Sequence, residues 1–310
     1  MAHITGHCTR LISKGGDKVI GHPIDPTYGE YLRDVFLRAN KRAWCYFPPF
    51  LCAFSLAPNR IVCVDEIAGS TCLLVKRPEG VDLLLPPVPC DADTLKRVVD
   101  KLASHQGGRL PRILWLDACD AKYVDTDKFA LRDKDAEYVY DPSQIVAATG
   151  RRFRDVRKRV RRFERAHAFR FRALTAWDVP DCFALLKHWR RRQGRRHPFL
   201  LDWGYTRAAL DQFHFWSEDV LWGWCVEVAG RIEAFALAGD MQPNLAHFFV
   251  AKTNPDLPDL SYFLRWRVYG ALSAYRRVND AGDLGLSGLR QFKQKFRPVD
   301  QWRVFSAEPL

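Results

Sequence analysis

The chain of 310 residues contains no run approaching the roughly 20 apolar residues that a membrane-spanning helix needs, because charges or prolines break every candidate. Its first eight residues, MAHITGHC, lack the basic-then-apolar pattern of a secretory signal. The expectation is a soluble protein kept in the cytosol. No Cys-x-x-Cys pair occurs, and the nine cysteines (8, 45, 52, 63, 72, 90, 119, 182 and 225) are odd in number and irregularly spaced. That pattern excludes a disulfide framework, a zinc knuckle and a redox pair, and leaves buried, inert thiols. Also missing are a metal-ligand cluster, a P-loop and a nucleophile–His–Asp set with supporting context, so no metal is expected.

What is present suits a globular fold: 47% hydrophobic, 13% aromatic and 27% charged residues. The length fits two domains better than one. Net charge is +12, and it is concentrated. Residues 151–172 (RRFRDVRKRVRRFERAHAFRFR) and 187–196 (KHWRRRQGRR) together hold seventeen Lys/Arg against two acids, and the rest of the chain is slightly acidic. A focused basic surface on such a background points to a polyanionic partner.

Periodicity predicts a helix at 28–39, strands at 60–66 and 70–76 around an Ala68-Gly69 turn, a strand at 81–85, a helix at 92–103 and a strand at 112–116. After an acidic linker around 125–137 and the strand EYVY (137–140), a similar order returns. Helices are expected at 152–167 and 180–192, a strand at 169–174, a meander at 220–228, 231–239 and 246–251, and a helix at 259–277. A strand at 281–286, a helix at 287–295 and a strand at 301–305 close the chain. The fold class is a mixed α/β one (α+β), in two domains, 1–141 and 142–310. In each, a mixed, mainly antiparallel sheet is flanked by helices.

This order, twice over, resembles a tandem of N-acetyltransferase-type (GNAT) domains. The segment DLGLSGLRQFKQKFRPVDQW (283–302) resembles the closing signature of the phosphatidylglycerol lysyltransferase C-terminal family. EYVYD followed by ATGRRFRDVRKRVRRFER (148–165) resembles its middle signature, and FPPF (47–50) with LLLPPV (83–88) its first half. The resemblance implies transfer of an amino acid from charged tRNA to a hydroxyl or amine acceptor, a lipid head group in the membrane enzymes. This chain lacks their multi-helix membrane portion, so a small metabolite stands beside the lipid as acceptor.

A coenzyme A-dependent member of the fold needs glycine-rich backbone near a diphosphate. The corresponding loops here, KTNPDLPD (252–259) and PPVPCDAD (86–93), have prolines and no glycine. No cofactor is therefore expected, and aminoacyl-tRNA is the donor substrate. Its ester is already activated, so the enzyme must hold the reactants, remove a proton and stabilise an oxyanion. Lys293 and Lys295 match the lysines of the family's closing motif, with Arg290 one helical turn before Lys293. Asp259, opening the helix after the meander, is the expected base, with an N-cap as its competing role. Asp283 is a second candidate or a turn former, and His247 reads more readily as a satisfied core histidine. Trp222 and Trp224 fit sheet packing better than an acceptor pocket.

The phosphates of tRNA are assigned to Arg151, Arg152, Arg154, Arg157, Lys158, Arg161, Arg162, Arg191 and Arg195. Peripheral contact with a membrane surface is a competing use of the same basic helix. Two other functions stay open: an acyl-CoA-dependent acyltransferase and a non-catalytic RNA-binding module. The oligomeric state is not legible.

Overall fold

In the computed structural model, which describes residues 20–134, 136–194 and 202–310, the first half follows the expected order closely. It comprises β1 (His22–Pro23), α1 (Gly29–Arg38), α2 (Pro48–Phe54), β2 (Ile61–Ile67), β3 (Ser70–Arg77), β4 (Gly80–Leu83), α3 (Ala92–His105), β5 (Ile113–Asp117), α4 (Ala118–Ala121) and β6 (Phe129–Asp133). Ala68 and Gly69 both take positive φ (54° and 78°), the geometry of a two-residue hairpin turn that matches strand twist. Asp91 caps α3, accepting from Thr94 N at 2.7 Å, and Leu95, Val98, Val99 and Leu102 bury its apolar face. Helix α2 was not legible in the pattern. All seven of its residues are buried, so it shows no amphipathic period.

The second half runs β7 (Glu137–Tyr140), α5 (Pro142–Ala147), α6 (Arg154–Ala166), β8 (Phe169–Ala173), α7 (Val179–Trp189), α8 (Asp202–Asp211), β9 (Leu221–Val228), β10 (Arg231–Gln242), β11 (Leu245–Thr253), α9 (Leu260–Ala271), β12 (Arg277–Asn279), α10 (Ser287–Lys295), β13 (Asp300–Trp302) and β14 (Val304–Pro309). Three expectations need correction. The helix expected to reach 277 stops at Ala271, and the strand expected at 281–286 lies earlier, at 277–279. The expected last strand is two strands in different sheets, β13 and β14.

Each half carries a seven-stranded sheet, ordered β1-β2-β3-β4-β5-β14-β6 and β13-β7-β12-β11-β10-β9-β8. The seam read at residue 141/142 is crossed in both directions. Strand β7, before it, pairs in the second sheet, and β14, at the far end of the chain, lies between β5 and β6 in the first. The halves also share a core in which Leu32, Phe36, Phe47 and Phe50 pack with Leu185, Leu210, Phe235 and Leu237. Two glycines permit close approach between them: a Cβ on Gly239 would lie 2.6 Å from the Phe47 ring, and one on Gly29 would lie 2.5 Å from the Trp216 ring. Among the described residues no helix is long and apolar enough to cross a membrane. Six of the eight described cysteines are buried and all eight are unpaired, as the spacing implied.

Candidate active site

The two halves enclose a cleft of about 910 Å³. The first half contributes Trp44, Phe50, Phe54 and Trp115; the second contributes Trp189, Tyr205, His247, Phe249, Lys252 and faces of α9 and α10. Helical spacing determines which side chains reach it. On α9 these are Ser261, Leu264 and Arg265, and on α10 they are Leu289, Phe292 and Lys293, each set at three- and four-residue steps.

Lys293 is buried in the floor of the cleft. Its Nζ donates to the carbonyl oxygens of Asp280 and, at 3.1 Å, Ala281, and lies 3.5 Å from Asp280 Oδ1. The other carboxylate oxygen of Asp280 accepts from Arg265 and from Tyr269 Oη at 3.2 Å. Burial brings the Lys293 ammonium down to about 8, against the pull of Asp280. The loop from Asp280 to Leu286 explains why no strand forms there. Ala281 and Leu284 hold positive φ (49° and 57°), and the chain turns two carbonyls onto the lysine.

Lys295 follows two positions later, about 200° around a helix, and points away from the cleft to pair with Asp155 of α6 at 3.1 Å. Arg290 is exposed and bonds Asp283. Asp283 is buried, accepting from Tyr138 Oη at 2.6 Å, Arg290 Nε at 2.9 Å and Gly285 N at 3.0 Å. Burial works against its ionisation, but these donors hold the carboxyl below the usual range. Asp259 opens α9 with φ 65° and makes no side-chain cap. Its carboxylate is held by Arg162 and by Arg159 at 3.0 Å, outside the cleft lining. The reading of Asp259 as base and the reading of Asp283 as base thus meet carboxylates already committed to arginines.

Residues that the sequence did not single out complete the site: Asp280, Arg265, Tyr269 and Glu137. Glu137 is fully buried, accepting from Trp44 N at 3.0 Å and from the Asn279 side chain. Burial raises its carboxyl to about 8. His247, on β11, lines the cleft and donates from Nδ1 to the Asn279 carbonyl at 2.9 Å, leaving Nε2 as an acceptor. Burial lowers its imidazole to about 4. Trp222 and Trp224 pack against the second core, away from this cleft.

Helix α6 lies behind α9. Val156, Val160 and Phe163 pack inward, while Arg154, Lys158 and Arg161 form an exposed stripe with no ion pair among the described residues. Arg151 is exposed just before it. Three other basic residues are engaged by the protein itself: Arg162 by Asp259, Arg157 by the carbonyls of Ala148 and Gly150, and Arg152 by Gln144 at 2.8 Å. Arg191 is exposed on the helical turn after Trp189, and Arg195 lies outside the described residues.

The model of the family described as phosphatidylglycerol lysyltransferase, C-terminal, matches residues 66–307. No curated protein matches the sequence. Among solved structures, a conserved protein of unknown function from Bacteroides thetaiotaomicron VPI-5482 superposes with TM-score 0.77 at 18% identity, covering 94% of this chain and 100% of that one. L-PGS from Bacillus licheniformis gives 0.67 at 17%, covering 94% and 93%. A tandem GNAT protein from the clavulanic acid biosynthesis pathway gives 0.52 at 13%, covering 92% and 97%. At these identities the likeness establishes the fold, a GNAT-type pair of mixed sheets flanked by helices.

Proposed function

The chain belongs to the phosphatidylglycerol lysyltransferase C-terminal family, and from that premise we propose that it moves an amino acid from a charged tRNA to a hydroxyl or amine of a lipid head group or small metabolite. Membership makes it an aminoacyltransferase; the donor, the acceptor and the residues are our reading. The observation that carries it is the buried Lys293 ammonium, fixed beside Arg265 in a cleft between the halves that is also lined by aromatic rings.

Attack by the acceptor on the ester carbonyl places negative charge on oxygen. A cation held in a water-poor cleft stabilises that charge without reorganising. The new bond forms at the acyl carbon, the ester bond to the ribose breaks, and the proton released by the acceptor ends on the ribose oxygen. His247, neutral at physiological pH and with Nε2 unprotonated, is the cleft-lining group suited to relaying that proton. Arg151, Arg154, Lys158, Arg161 and Arg191 supply phosphate contacts on the outer face, away from the reacting atoms.

A carried donor is favoured over coenzyme A by the loop before α9. Two of its amides are spent locally, Asp256 N and Leu257 N on Asn254. The test is incubation with a pool of charged tRNAs and candidate acceptors. Acceptor-dependent release of labelled amino acid that disappears in Lys293→Ala supports the reading. Release with none of the charged tRNAs overturns it.

A further inference from the structure

Among the described residues, Arg265 and Lys293 are buried in the cleft wall and share one carboxylate, Asp280, with Lys252 buried beside them and Lys134 and Asp133 at the rim. Both carboxylates are engaged. Asp280 serves Arg265, Tyr269 and Lys293, and Asp133 receives Arg303 through both oxygens, at 2.7 and 2.9 Å. Aromatic faces can hold a cation in place of a carboxylate, but the protein's own lysines lie over two of them. Lys252 Nζ sits 4.0 Å from the Trp189 ring and Lys134 Nζ 6.0 Å from the Trp115 ring.

A lysyl or arginyl side chain entering here would lose its water beside like charges. Among the described residues, no uncommitted carboxylate lines the cleft to offset that loss. The α-amino group of an activated ester is much less basic than a lysine side chain and can enter uncharged. Facing the cations is an apolar wall. Trp44 packs on Phe50 and Trp115 at 4.3 and 5.1 Å between ring centres, and Phe54 on Trp115 at 4.8 Å. Tyr205 stacks on Phe249 at 5.9 Å beside it.

We infer that the transferred amino acid carries a bulky uncharged side chain, apolar or aromatic, seated against the wall of Trp44, Phe50, Phe54 and Trp115. The inference rests on the aminoacyl-tRNA reading above and departs from the lysine in the family's name. Burial of such a side chain is favourable by about 2–3 kcal/mol, whereas a buried ammonium without a partner is strongly disfavoured.

The test measures binding of stable donor mimics, 3′-aminoacylamino-3′-deoxyadenosines carrying phenylalanine, leucine, alanine or lysine, by calorimetry on the whole chain. No acceptor needs to be known. The phenylalanine or leucine mimic is expected to bind at least tenfold more tightly than the lysine and alanine mimics. Trp115→Phe, which keeps the ring contacts with Trp44 and Phe54, is expected to retain that preference and Trp115→Ala to lose most of it. Equal or tighter binding of the lysine or alanine mimic overturns the inference and leaves the donor reading intact. Binding of none of the four overturns both.

Discussion

The side-chain amide of Asn279 donates to the carboxylate of Glu137, and this bond ties β12 to β7 deep inside the second sheet. The second oxygen of Glu137 accepts from the backbone of Trp44, in the first half, so one buried carboxylate joins the aromatic wall of the cleft to the strand that leads into Asp280. Both of its contacts are donors, which makes the position intolerant of an amide.

Glu137→Gln sets a donor against one of those donors, and a stability loss of about 1–3 kcal/mol is expected. A carboxyl raised to about 8 contributes stability that is complete below its unfolded value and is lost as pH rises through 8. The stability difference between wild type and Glu137→Gln should therefore shrink from pH 5 to pH 9. Urea unfolding across that range measures it.

Lys293→Met, which keeps the stem and removes the charge, is expected to lower kcat by about 10²–10³. Lys295→Met should stay within a few-fold, because its ammonium pairs with Asp155 on the outer surface. With the Lys293 ammonium brought to about 8, wild-type kcat for a hydroxyl acceptor should decline above that pH as the cation is lost. The pH profile of kcat decides this.

His247 contributes in the opposite direction in acid. Its folded value of about 4 lies below the unfolded imidazole, so the unfolded chain binds more protons between about pH 4 and 6.5 and stability falls as pH is lowered through that window. His247→Phe, placed among Phe47 and Phe249, should reduce the acid-side loss by up to about 3 kcal/mol. Thermal unfolding at pH 4 and pH 7 makes the comparison.

Replacing Arg154, Lys158 and Arg161 by alanine should weaken tRNA binding and reduce the slope of log K against log salt by about 2. These side chains are exposed, so the melting temperature should hold. Arg162→Ala should instead destabilise the fold, because it leaves the buried Asp259 carboxylate with Arg159 alone. Titration at several salt concentrations separates the two cases.

The sequence pattern located Lys293 but could not tell it from Lys295, since both belong to the same motif. Helical geometry separates them: one faces Asp280 and the other Asp155. Asp259 and Asp283 looked like bases because an acid near a helix start or a turn is a common catalytic placement. Their arginine partners come from α6, about a hundred residues earlier, and from α10. Asp280 and Glu137 gave no local signal at all, because their roles depend on residues up to about 140 positions away.

The sequence by itself determined the double α/β order, the basic face of α6 and the glycine-free loops, since these depend on short-range periodicity and on which residues can free a backbone amide. Only the tertiary structure decided that β14 returns to the first sheet, that α2 joins the shared core and that Lys293 rather than Lys295 is taken out of water. Those outcomes rest on contacts between distant segments, and burial acts on a charge only after such contacts have closed around it.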